Sequence, residues 1–173
     1  MKTKARIAGV FYLITFVAGS ASLALTSGKL AVDLIAELAY VGVTVLFYQI
    51  FKPVNRNVSL LAAVFSLAGI AIGALTAFHR APSTINPLVF FGFYCLLIGY
   101  LIIRSMFLPR ILGVLMAIGG LGWLTFMSPT FSQSLYPYNL APGMIGEGAL
   151  TLWLLAVGLN EQRWKEQDAM SAV

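Results

Sequence analysis

The chain has 173 residues, of which 60% are hydrophobic and only 10% charged, with a mean hydropathy of +0.89. A soluble domain carries about 25% charged and roughly 45–50% apolar residues, and a fold of this size cannot hide so much extra apolar surface from water, which excludes an ordinary soluble globule and a disordered chain. The net charge of +5 does not mark a nucleic-acid-binding module, because the basic residues stand singly between long apolar runs and form no basic face.

Six apolar segments follow in chain order, at 7–25, 31–51, 58–78, 87–103, 111–127 and 141–159. All fall within the 17–25 residues that cross about 30 Å of hydrocarbon as a helix, and none alternates as a barrel strand would. Backbone in lipid must satisfy its own hydrogen bonds, so the pattern predicts an all-α, six-helix transmembrane bundle forming a single domain. The first segment exceeds the roughly 7–15 apolar residues of a signal core, so it is expected to be retained as a helix. The breaks are polar or carry helix-stopping prolines: Gly28, Pro53, Pro82, Pro109, and Pro129 with Pro137 in the longest connection. Connections this short predict antiparallel, touching neighbours. Residues 160–173 read as a short polar tail with Trp164 as an interfacial anchor.

Basic residues set the expected orientation. Lys2, Lys4, Arg6, Lys52, Arg56, Arg104, Arg110, Arg163 and Lys165 fall on one side and only Lys29 and Arg80 on the other. By the positive-inside rule both termini face the cytoplasm. The single cysteine, Cys95, permits no intrachain disulfide and reads as a small packed residue.

Charges inside spans are the informative residues, since a central Asp or Arg costs roughly 2.5–3.5 kcal/mol on insertion scales. Asp33, Glu37 and Glu147 are the three such acids, and no Lys or Arg lies deep in a span. Asp33 and Glu37 share a helix face that continues through Tyr40, Thr44 and Tyr48. Comparable stripes run through Tyr12, Thr15, Gly19 and Ser22, and through Gly143, Glu147, Thr151 and Gly158, and should face the bundle interior. Glu37 and Glu147 are predicted at similar depth below the outer surface, with His79 and Arg80 at that same end. Asp33, Glu37, Tyr40, His79, Arg80 and Glu147 are therefore the candidate site, for a small molecule or ion in an outer-half cavity. The competing reading makes the acids a packing network within a structural subunit of a larger membrane complex or homo-oligomer. The sequence names no cofactor, catalytic residue or metal site: it has one histidine, no HExxH, no phosphate-binding glycine loop and no nucleophile elbow. The small-residue spacings Gly69-xxx-Gly73 and Gly113-xxx-Ala117 read as helix-packing sites.

Several stretches together carry a resemblance. They are Ala5-Arg6-Ile7-Ala8-Gly9, Tyr48 followed by Lys52-Pro53-Val54-Asn55-Arg56, Phe90-Phe91-Gly92 through Gly99-Tyr100-Leu101, Arg104 to Gly113, and Glu147 ahead of Leu152-Trp153-Leu154-Leu155. On these the chain resembles a family of small bacterial inner-membrane proteins, domain of unknown function 4386. The resemblance implies a multi-helix integral membrane protein and no particular activity. It departs from the family pattern at Tyr94, where a histidine is common, which argues against a histidine-centred mechanism.

Overall fold

A computed structural model describes residues 1–25, 27–80 and 85–171; Pro82, in the third connection, and the last two residues of the tail lie outside them. The described chain is all-α. Its helices are α1 (Lys2–Ala24), α2 (Lys29–Phe51), α3 (Arg56–Ala77), α4 (Pro87–Arg104), α5 (Arg110–Leu124), α6 (Pro129–Leu135), α7 (Leu140–Ala156) and α8 (Glu161–Ser171), with a 3-10 turn, Thr125–Met127, after α5. Helices α1 to α3 and α4, and α5 with its 3-10 turn, are long and apolar enough to cross a membrane; α7 and α8, joined at a 107° bend, raise the number to six if the pair counts as one span. Large apolar side chains such as Leu38, Leu121 and Leu152, at 71%, 59% and 67% exposure, face outward. Such a surface is stable only under lipid.

Local chemistry ends the helices where the sequence breaks. The Asn55 side chain accepts from the Val58 amide at 3.0 Å and the Asn86 side chain from the Leu88 amide at 2.9 Å, capping α3 and α4. Pro87 opens α4 with its φ preset for the helix. At the far end of α3, His79 adopts φ 55°, and the amides of His79 and Arg80 donate to the carbonyls of Thr76 and Leu75. This is a Schellman closure, with histidine in the left-handed position usually given to glycine.

Successive spans pack side by side, α1 on α2, α2 on α3, α3 on α4, α4 on α5 and α5 on α7, and α7 returns to α1. The ring is closed. Glycines set the close approach of α4 and α5: a Cβ on Gly99 would stand 2.7 Å from the Gly113 carbonyl, and one on Gly120 2.7 Å from the Gly92 carbonyl. The pairs 92/99 and 113/120 are each seven apart, so α4 and α5 meet backbone to backbone at two successive levels.

Where the sequence suggests only a polar extension, residues Glu161–Ser171 form α8. Trp164 is buried instead of sitting free at the interface, and its indole N–H donates to the Ile50 carbonyl at 2.9 Å, one of the carbonyls left open at the end of α2. The Gln167 side chain accepts from the Met106 amide at 3.0 Å, and the Asn160 amide donates to the Phe107 carbonyl at 3.1 Å. At the first turn of α8, the hydrogen bond from the Met1 ammonium, at 2.8 Å, holds the Glu161 carboxyl below the usual carboxylate range. These contacts, with the Lys4–Gln49 bond at 2.6 Å, gather the start of α1, the end of α2, the α4–α5 connection and the end of α7 at one end of the bundle, the basic one. Trp164→Ala should release α8, with a cost of roughly 3–5 kcal/mol as for other buried tryptophans. Faster tryptic cleavage at Arg163 and Lys165 would report it; unchanged cleavage would mean that the other contacts suffice.

Candidate functional site

Helices α1, α2, α5 and α7 converge on Glu147, which is 7% exposed. Its Oε1 accepts from the Trp123 indole N–H at 2.6 Å. Its Oε2 accepts from the Tyr12 hydroxyl at 2.8 Å and, more weakly, from Tyr40 at 3.3 Å. The two tyrosine hydroxyls are 3.1 Å apart and their rings meet edge-on at 5.4 Å. Trp123 reaches this position because residue 143 is glycine: a Cβ there would lie inside the indole. Gly143 stands one turn before Glu147, so the same face of α7 supplies both the gap and the acceptor.

Beside this group opens a cavity of about 290 Å³, walled by Phe16, Phe91, Met144, Tyr12, Tyr40 and Trp123. Its size is at the lower end of small-molecule pockets. Glu37 and Glu147 both line it. Their situations differ. The Glu147 carboxylate is surrounded by donors, whereas the half-buried Glu37 carboxylate has no hydrogen bond or salt bridge to any described residue. Glu37 lies against α3 at Gly73, where a Cβ would occupy the space of its Oε1. The Gly69-xxx-Gly73 spacing therefore serves two contacts, since Gly69 admits the Phe91 ring, 3.1 Å from where its Cβ would stand, and Gly73 admits the carboxylate.

The other residues singled out by sequence lie elsewhere. Tyr40 is in the group. Asp33 turns instead to Ser22, whose hydroxyl donates to it, and to Lys29 at 3.8 Å; the Lys29 ammonium also donates to the Ser22 hydroxyl at 2.6 Å. His79 and Arg80 are exposed, and their side chains make no hydrogen bond to a described residue. The structure thus brings Glu37, Tyr40 and Glu147 to one cavity and leaves Asp33, His79 and Arg80 out of its wall. Tyr12 and Trp123 are the partners that sequence reasoning does not assign. A tryptophan in an apolar span needs an acceptor for its N–H, and that need was the available signal. Tyr94, 1% exposed, stacks edge-on against Tyr40 at 5.8 Å with its hydroxyl unpaired among the described residues. No group of three or more potential metal ligands occurs among the described residues.

Exposed large apolar side chains and at least five helices long and apolar enough to cross a bilayer define a multi-pass membrane protein. The chain matches the model of the domain of unknown function family DUF4386 over residues 24–82 and 74–158, and it belongs to that family. A relative, an uncharacterized protein of Archaeoglobus fulgidus, is 32% identical over 129 residues, which cover 68% of this chain and 76% of the relative. No solved structure matches the chain.

Gly73→Ala should push the Glu37 carboxylate aside, because the new methyl takes its place while the far end of a flexible side chain can move. The expected cost in stability is small, under about 1 kcal/mol, as for other substitutions a side chain can accommodate. Carbodiimide labelling of Glu37 should change in rate while Glu147 stays unreactive. An unaltered Glu37 rate would contradict this placement.

Proposed function

We propose that this protein binds, and moves, a small molecule or ion through the cavity at Glu37. The observation that carries the reading is a half-buried carboxylate in an aromatic-walled cavity, unpaired with any described residue. A carboxylate inside a span is costly unless something compensates it, and an entering cation or protic group does so. In this reading Glu37 contacts the ligand. Tyr40 and Glu147 form the wall, and Asp33, held by Ser22 and Lys29, belongs with His79 and Arg80 to the outer rim. The topology that goes with it has six spans with both termini cytoplasmic, in a cytoplasmic membrane of the bacterial inner-membrane type, supported by nine basic residues at one end of the bundle against two at the other.

A second reading, a structural or regulatory subunit of a larger complex, is favoured by the fully bonded state of Glu147. Trp123 borders the cavity, so its fluorescence separates the two. Titrating the purified protein with sodium, ammonium and tetramethylammonium should give a saturable change with at least one of them. Glu37→Gln should abolish that change while leaving melting intact. Three flat titrations, or saturation that survives Glu37→Gln, would favour the subunit reading, as would an altered assembly state of Glu147→Gln in mild detergent.

A further inference from the structure

A second cavity, of about 610 Å³, opens at the basic end of the bundle, between the α4–α5 connection and the α7–α8 bend. One wall is apolar, formed by Phe107, Leu108, Trp153 and Val157. The other carries Lys2 and Arg163, together with Asn160 and Glu161. Gly158 forms the turn between them at φ 77°, and a Cβ there would stand 3.1 Å from the Lys2 stem and 3.7 Å from that of Arg6. Lys2 and Arg6 are one turn apart, so their stems lie side by side over this glycine. The Glu161 carboxylate is already engaged by the Met1 ammonium at 2.8 Å. Lys2 and Arg163 have no carboxylate partner among the described residues, and the Arg6 guanidinium bonds only to the Ala156 carbonyl at 3.3 Å. The groove therefore pairs an excess of positive charge with a greasy wall.

Its position adds the occupant. The bend turns the chain from the spanning α7 into α8, which lies across the end of the bundle, so the groove sits where hydrocarbon gives way to headgroups. Val157 and Met106, 46% and 41% exposed, continue the apolar wall outward to the lipid-facing surface. An anionic headgroup at Lys2 and Arg163 with an acyl chain along that wall satisfies both halves, whereas a free phosphate satisfies only one. We infer that this groove is a binding site for a single anionic phospholipid, with Lys2 and Arg163 holding the phosphate and Arg6 beside them. The inference is independent of the Glu37 cavity, which lies elsewhere in the bundle.

Native mass spectrometry of the protein released from nanodiscs of mixed phosphatidylglycerol and phosphatidylcholine tests it. One retained phosphatidylglycerol is expected. The double variant Lys2→Gln/Arg163→Gln should weaken that retention roughly thirtyfold, from two juxtamembrane cations at the usual contribution each. Both side chains are exposed, so melting should not change. Arg104→Gln/Arg110→Gln removes the same charge from the same end outside the groove, and should leave retention within about twofold. Equal losses in the two variants would make the attraction diffuse and overturn the site, as would phosphatidylcholine retained equally well. Displacement of the lipid by millimolar inorganic phosphate alone would instead assign the groove to a free anion and overturn the lipid.

Discussion

Replacing Glu147 with alanine should cost about 2–4 kcal/mol, because the Trp123 indole and one of the Tyr12 and Tyr40 hydroxyls, which can bond to each other only once, would each be left as a buried donor without an acceptor, at roughly 1–3 kcal/mol apiece. Membrane hydrogen bonds often measure less than this, since the separated helices find other partners in lipid. Here the donors come from α1 and α5 and meet only through α7, so the loss should stand at the upper side of what membrane bonds give. Thermal melting in detergent measures it. Glu147→Gln keeps a carbonyl oxygen for the Trp123 N–H and turns an amide N–H toward the Tyr12 hydroxyl oxygen, which can accept it, and should lose less than half as much. Equal losses for Ala and Gln would show that the charge itself, and not the accepting oxygens, holds the group. An unchanged midpoint for both would remove Glu147 from any structural role.

The second large effect is expected at Gly99. Leucine there would drive a side chain into the Gly113 carbonyl, 2.7 Å from its Cβ, and toward the Ala117 amide at 3.0 Å. Both are backbone, which cannot rotate away. Overpacking costs about 1–3 kcal/mol where neighbours can shift, so Gly99→Leu should exceed about 3 kcal/mol by separating α4 from α5. Gly19→Leu is the control, because nothing lies within 4 Å of a Cβ at that position. Expression, monodispersity and melting should all fall for the first and hold for the second. Comparable behaviour of the two would mean that the helices have room to part.

The spans were legible because hydrocarbon thickness fixes how long an apolar run must be, and prolines and polar breaks fix where it stops. Predicted and observed ends differ by five residues or fewer, most at the start of α1, where Lys2 to Arg6 continue the helix beyond the apolar run. The polar stripes were legible for the same reason: a 3.6-residue period marks a face whatever that face touches. Which residue of a stripe meets which partner was not. Asp33 and Glu37 share a face, yet one turns to Ser22 and Lys29 and the other to Gly73 and the cavity, a difference decided by what stands opposite on α1 and α3. His79 reads from the sequence as a candidate at the outer end of the site, whereas its backbone closes α3 in a conformation that local sequence does not announce. Helix α8 escaped because it is polar, and what holds it, an indole N–H on the Ile50 carbonyl and an amide on Gln167, depends on tertiary placement that hydropathy does not encode. The 113/117 spacing did point to close packing, but its partner, Gly99, and the second contact, Gly92 on Gly120, emerge only once α4 and α5 are set antiparallel.

The closure of α7 onto α1 has a consequence for biosynthesis. Spans enter the bilayer in order from the N-terminus, so α1 and α2 are inserted well before Glu147 leaves the ribosome. Until it arrives, the Tyr12 and Tyr40 hydroxyls lack their carboxylate, and the first two hairpins wait as an open crescent in lipid. Helix α7 supplies the acceptor and closes the crescent onto α1. A chain stalled before residue 147 leaves the Tyr12 and Tyr40 hydroxyls without their carboxylate and α1 without α7 beside it. Closure of the ring thus waits on this one carboxylate.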